Sequence, residues 1–293
     1  MPATKSFQQY LGAHLSIAGG LHKAPQRGAA LGCTALQIFT KNGNTWKERV
    51  LEAKEIQQFK DASRTAGIRE IAAHTSYLIN IAGPDNEKWD RSVDALTREL
   101  VRAEQLAIPY VVQHPGNHMG AGTDAGIKRI AEAVCRVFDQ TGSTRTRLLL
   151  ETTAGQGSGI GHRFGQLADI LERVACPDQM GICLDTCHIF GAGYDIRDHR
   201  AYRRTMEHFD AVLGLENLHL IHLNDSKKAL ESRVDRHEHI GRGAIGEEGF
   251  RLLMQDRRLQ KVPKILETPK GKADQMDAVN LALVKRLAGK TGC

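Results

Sequence analysis

The chain has little that would tie it to a membrane or to an oxidising compartment. Its six cysteines, at positions 33, 135, 176, 183, 187 and 293, include no Cys-x-x-Cys pair and no dense framework. That excludes a disulfide-stapled fold and points to reduced thiols in the cytoplasm. No run approaches the ~18 apolar residues of a membrane span. The opening MPATKSFQQYLGAHLSIAGG lacks the charged start and continuous apolar stretch of a secretory signal. Linkers, low-complexity tracts and sequence-level repeats are also missing. The expectation is a soluble, cytoplasmic protein that does not engage membranes, with residues 1–293 forming one domain.

What the chain does have is positive charge and a regular alternation. Lys+Arg 40 against Asp+Glu 34 gives a formal charge of +6 and a pI near 9.0, which suits a polyanionic partner. Short apolar runs alternate with amphipathic stretches, the pattern of β/α units. Strands are expected near 10–14, 34–40, 68–74, 109–114, 147–151, 180–185, 218–223 and 263–267. Between them, Trp89, Val93, Leu96, Leu100 and Val101 fall on one predicted helical face, and Ile127, Ile130, Ala131, Val134 and Phe138 on another. Both faces are expected to pack on the strands. Eight such units predict an α/β fold of the TIM (β/α)8 barrel type, with its chemistry at the carboxyl ends of the strands. The stretch from Asp225 to Gly249 is the longest irregular one; it follows the seventh strand, and a connection of that length is expected to be a functional or a disordered loop.

Residues able to bind metal recur at the period of these units. His74, His114, Glu151, Asp185, His222 and Glu267 each close a strand-like run, at steps of 40, 37, 34, 37 and 45 residues, close to the length of one unit. His188 follows Asp185 in DTCH, and Asp235 and His237 fall on one side of an extended DRH segment. Singly, each is an ordinary strand-end or turn residue. Jointly, they gather five histidines and four carboxylates on one barrel face. Imidazole and carboxylate without thiolate suit zinc or manganese in an open, catalytic cluster. Nine ligands exceed the needs of one tetrahedral ion, so two or three ions follow, with a carboxylate such as Glu151 available to bridge a pair. Cys183 and Cys187 are read as small buried apolar residues.

LGAHLSIAGG, ALQIFTKN, AAHTSYLIN, QHPGNH, LETTAGQGSGIG, ICLDTCHIFGAGYDI, HLNDSK, SRVDRHEHIGRGAIG and ILETP follow one another over about residues 10 to 270. This series resembles the endonuclease IV family of apurinic/apyrimidinic endonucleases. The resemblance implies a TIM barrel with three zinc ions, manganese being an alternative at one of them. It places His74, His114 and Glu151 on the first ion. Glu151 bridges to a second that also takes Asp185, His222 and Glu267, while His188, Asp235 and His237 hold the third. It further implies a monomeric DNA-repair hydrolase, with Glu151 and Glu267 catalytic, that cuts 5′ to abasic sites in duplex DNA and clears 3′-blocked ends. The products would be a 3′-hydroxyl and a 5′-deoxyribose phosphate. In-line attack by an activated water needs no redox cofactor or covalent nucleophile.

The residues matching the family's wedge are Tyr77 and Leu78, which would enter the minor groove. Two positions depart from the family pattern: Asn44 stands where many members have an arginine, and Thr152 where an asparagine is usual. Asn44, Lys41 and Arg236, together with Lys227, Lys228, Arg233 and Arg242, lie in loops of the active face and are expected to meet DNA. The rival reading is a divalent-metal sugar isomerase or epimerase on the same barrel. It needs fewer ligands and leaves the DRH segment without a task.

Overall fold

The computed structural model of the chain describes residues 9–142, 145–271 and 275–289; Cys293 lies outside them. Strands β1 (Leu11–His14), β2 (Ala35–Phe39), β3 (Glu70–His74), β4 (Tyr110–Gln113), β5 (Arg147–Glu151), β6 (Met180–Asp185), β7 (Leu218–Leu223), β8 (Asp225–Ser226), β9 (His237–Glu238) and β10 (Lys264–Leu266) run in chain order. They are interleaved with helices α1 (Lys23–Ala30), α2 (Ala53–Thr65), α3 (Asn86–Gln105), α4 (Thr123–Thr141), α5 (Phe164–Arg173), α6 (Thr186–Ala192), α7 (His199–Leu213), α8 (Gly246–Gln255) and α9 (Gln275–Gly289). Eight of the strands close into a parallel barrel in the order β1-β10-β7-β6-β5-β4-β3-β2. Each expected strand is present to within two residues. β4 and β10 stop short of His114 and Glu267. Pro115 has no N–H to prolong β4, and the Glu267 N–H donates to Asn224 Oδ1 at 2.9 Å instead of to a strand neighbour.

The barrel interior is filled: Ala35, Ala72, Val112, Leu149, Cys183, Leu220 and Ile265 meet inside it. At Gly12 any Cβ would collide with the Ala35 carbonyl, so only glycine lets β1 lie this close to β2. Outside, α3 buries Trp89, Val93, Leu96 and Leu100, and α4 buries Ile127, Ile130, Ala131, Val134 and Phe138. Each such large side chain contributes roughly 1.5–3 kcal/mol relative to exposure, which gives the strands a rigid support. Val101 does not join them; it is 41% exposed, because at ~100° per residue it sits over a quarter of a turn round from Leu100. No helix among the described residues is long and apolar enough to cross a membrane.

Strand register decides which side chains meet at the carboxyl rim. Phe39 pairs with His74, and a bulge between Ile182 and Cys183 brings Asp185 level with His222. The stretch Asp225–Gly249, expected to be irregular, is ordered. β8 and β9 form an antiparallel hairpin with Ser226 opposite His237. Behind it the buried Asp225 carboxylate accepts from the N–H groups of Ser226, Gly243, Ile245 and Gly246 at 2.8 to 3.3 Å. Two-residue strands and a carboxylate that replaces a ladder have no periodicity, so the sequence pattern does not reveal them.

Candidate metal centre

Four histidines at the rim are oriented by a partner on one ring nitrogen, which turns the other toward carboxylates. A carbonyl oxygen can only accept, so Nδ1 carries the proton where it faces one. His74 Nδ1 donates to Thr75 O at 2.9 Å, His188 Nδ1 to Thr152 O at 2.8 Å and His237 Nδ1 to Glu267 O at 3.1 Å. His222 is held the other way round: Nε2 donates to Gln37 Oε1 at 2.8 Å and Nδ1 faces inward. Such outer partners are what set tautomer and aim in metal-binding imidazoles.

Four histidines meet at Glu151, which is wholly buried. Its Oε2 lies 2.8 Å from His114 Nε2 and 3.2 Å from His74 Nε2, and its Oε1 lies 2.9 Å from His222 Nδ1 and 3.4 Å from His188 Nδ1. Ligand atoms of Glu151, Asp185, His222 and Glu267 all lie within 4.8 Å of one another, as do those of His74, His114 and Glu151. A further group of this kind joins Asp185, His188 and His237. Asp185 caps α6, its Oδ1 accepting from His188 N at 2.8 Å, so His188 stands on the first helical turn and not in a loop. Asp235 completes the picture at 3.1 Å from His188 Nε2 and 3.3 Å from His237 Nε2. All nine residues expected to bind metal therefore share one cluster.

The electrostatics of the cluster suit a cation. Burial alone would push the Glu151 carboxyl up, yet His114 and His222 hold it well below the usual carboxylate range. Burial likewise opposes charge on His188, but Asp185, Asp235 and Glu151 raise it well above the ordinary imidazole value. A divalent ion held among these carboxylates would offset the same buried negative charge. The Nε2 atoms of His188 and His237 are buried and, despite Asp235 nearby, lack an aligned hydrogen-bond partner. Such orphaned imidazole nitrogens beside a carboxylate fit a cation. Cys183 and Cys187 border the cluster, but burial pushes both thiols up to about 12, so they stay small and apolar there.

Several residues that support the cluster were not singled out in the sequence. His14 closes β1 as His74, Glu151 and Asp185 close their strands, and its Nδ1 lies 3.1 Å from Glu267 Oε1; the strand-end rule applied one unit earlier points to it. Gln37 donates to the same oxygen at 2.6 Å, and Asn224 Nδ2 donates to Asp185 Oδ2 at 2.6 Å. The departure at Thr152 has a task, since its hydroxyl accepts from Asp185 N at 2.9 Å. A cleft of about 340 Å³ opens above the cluster, with Phe39, Tyr77, Thr268, Pro269 and Lys270 on its walls.

At the rim, Tyr77 is 66% exposed, and its ring stands edge-on to Phe39 at 5.3 Å and 6.0 Å from His74. Leu78 beside it is 37% exposed. Asn44 and Arg236 are exposed too. Lys41 is a correction. Expected to meet DNA, it is buried, its Nζ donating to Thr45 O at 2.9 Å and lying 3.6 Å from Glu99 Oε1. Glu99 arrives from α3, far along the chain, and needs a cation more than solvent does.

Residues 25–285 match the family model described as a xylose isomerase-like TIM barrel. The chain is 50% identical over 278 residues to the probable endonuclease 4 of Geobacter sulfurreducens, covering 95% of this chain and 94% of that protein. The crystal structure of endonuclease IV from Thermus thermophilus superimposes with a TM-score of 0.85 at 37% identity, over 95% of this chain and 98% of that one. A D-tagatose 3-epimerase-like protein, with a TM-score of 0.72 at 17% identity over 96% and 97%, shares the fold alone.

Proposed function

The chain belongs to the endonuclease IV family, metal-dependent hydrolases of DNA repair, and on that premise we propose a specific reaction. It hydrolyses the phosphodiester bond 5′ to an abasic site in duplex DNA, leaving a 3′-hydroxyl and a 5′-deoxyribose phosphate, and it clears 3′-blocked ends in the same cleft. One observation carries the reading: Glu151 turns one oxygen to His74 and His114 and the other to His222 and His188, while Asp235 and His237 face His188 from the opposite side. His74, His114 and Glu151 would hold one ion. Glu151, Asp185, His222 and Glu267 would hold a second, and His188, Asp235 and His237 a third. The donor set suits zinc, with manganese an alternative at one position. Bound there, the ions would supply a water activated at neutral pH and offset the charge that develops on the phosphate oxygens.

The chain's own residues do the placing. Glu267 is fixed by Gln37 on Oε1 and by Asn224 on its N–H, which keeps its other oxygen 3.2 Å from His222 Nδ1. Tyr77 and Leu78, exposed beside the cleft, fill the gap left by an extruded abasic nucleotide, whose extrusion forfeits less stacking and pairing than that of an intact one. Arg236 and Asn44 meet the flanking strand. The protein acts as a monomer whose residues 1–293 form one domain. A sugar isomerase would leave His188, Asp235 and His237 unused.

The test is elemental analysis of the purified protein together with incubation on a duplex bearing one abasic site. About three divalent ions per chain and nicked strands with polymerase-extendable 3′ ends are expected. Fully loaded protein that leaves the abasic duplex intact overturns the reading.

A further inference from the structure

We propose that Lys270 is a substrate-binding residue of this site: its ammonium, held at the wall of the cleft by Asp277, takes an oxygen of a backbone phosphate next to the bond that is cut. The inference rests on the DNA-hydrolase reading above and assigns it a contact in the β10–α9 connection. Among the described residues that line the cleft, Lys270 is the one lysine or arginine. It stands three positions after Glu267, across Thr268 and Pro269, so a short proline-stiffened segment fixes it relative to the cluster. Glu267, Thr268, Pro269 and Lys270 line the cleft one after another. The cation therefore sits at the Glu267 end of the cleft, where an anionic substrate must enter.

The geometry suits a phosphate oxygen. Lys270 Nζ donates to the two oxygens of Asp277 at 3.1 and 2.8 Å, and an ammonium has three donors. Two are committed and one is left for a ligand. Asp277 is fully buried in the first turn of α9, whereas the Lys270 side chain keeps 35% of its exposure. The acid thus holds the ammonium in place while the cation stays open to solvent. A lysine held this way acts as a fixed point charge for phosphate and loses little freedom on binding.

The competing explanation is that Lys270 only neutralises Asp277, and three variants separate the two. Binding and steady-state incision of a duplex with one tetrahydrofuran abasic analogue are measured across a salt series for Lys270→Gln, Lys270→Arg and the double variant Lys270→Gln/Asp277→Asn, with metal content and melting temperature alongside. One phosphate contact changes the log–log salt slope by about 0.9 and is worth roughly ten-fold in affinity at 0.1 M salt. Lys270→Gln should raise KM by that factor and flatten the slope by about one, with kcat and metal content kept, and Lys270→Arg should restore both. The double variant should recover the melting temperature but not the slope. Recovery of binding in the double variant, or an unchanged slope in Lys270→Gln, overturns the proposal while wild-type incision still upholds the parent reading. Wild-type protein that fails to cut removes both.

Discussion

His222 is clamped by Gln37: Nε2 donates to Gln37 Oε1 at 2.8 Å, and this leaves Nδ1 2.9 Å from Glu151 Oε1. The same glutamine donates to Glu267 Oε1 at 2.6 Å, so one amide orients two residues of the central donor group. Gln37→Leu, similar in size and equally buried, should preserve the fold and weaken metal retention by about 10–100-fold, the usual cost of losing an outer partner. Competition with a chelator, read as ions lost against chelator concentration, checks this. Wild-type retention by the variant would mean that packing alone orients His222.

How much of this could be read from the sequence depends on how each residue does its work. Six candidate ligands were legible because strand ends recur at the period of the barrel, and the candidates His188, Asp235 and His237 because their neighbours in DTCH and DRH carry donors. His14, at the end of β1, obeys the same rule. Gln37 lies inside β2, with no metal-binding atom and no special spacing, and its role exists only because β2, β7 and β10 bring it to His222 and Glu267. Lys41 misled for the opposite reason. Its loop reads as solvent-facing, and nothing local announces Glu99, which stands 58 positions later in the chain. Val101 shows the limit of a looser kind of pattern, since one residue step moves a side chain off a helical face.

The buried position of Lys41 makes a prediction opposite in kind to that for Lys270. Thr40 Oγ1 donates to Glu99 Oε2 at 2.8 Å, and Arg102 Nη2 donates to Thr40 O at 2.6 Å, so the network ties the β2–α2 loop to α3. Lys41→Met should lower stability by about 3 kcal/mol, because a buried carboxylate loses a partner. It should leave the salt dependence of DNA binding unchanged. Denaturant unfolding and a salt titration check the pair of outcomes; a slope lower by about one would return Lys41 to the phosphate contacts.

Lys264 gives a dependence on pH. It is fully buried at the start of β10, where Nζ donates to Leu259 O at 2.7 Å and Val262 O at 2.9 Å, and burial depresses its pKa to about 7. In the unfolded chain a lysine titrates near 10.4. Between these values the unfolded state binds a proton that the folded state does not, so this group's contribution rises with pH and is complete above about 10. It is lost as pH falls toward 7. The span is at most about 5 kcal/mol. Unfolding of wild type and Lys264→Met should therefore diverge in favour of wild type from about pH 7 to about pH 10. A difference that stays flat would mean that Lys264 keeps its charge when folded.

The resemblance leads one to expect a cation where this chain has Asn44, and Tyr77 is the residue on which that difference bears under the proposed reading. On the proposed reading, with Asn44 where the resemblance leads one to expect an arginine, the exposed Tyr77 ring and its neighbour Leu78 would carry more of the hold on an extruded nucleotide. The ring is braced by Phe39 at 5.3 Å, and the Tyr77 N–H donates to Gly43 O at 3.2 Å, which ties this loop to the one that bears Asn44. Stacking on an aromatic side chain is worth about 1–3 kcal/mol, so Tyr77→Ala should weaken binding to abasic duplex roughly ten-fold or more, and should spare binding to undamaged duplex and metal content. Asn44→Arg should tighten binding and steepen its salt slope by about one. Gel-shift titrations on matched abasic and intact duplexes read both effects. If Tyr77→Ala weakens the two duplexes equally, the ring serves loop packing and the damage must be sensed elsewhere in the cleft.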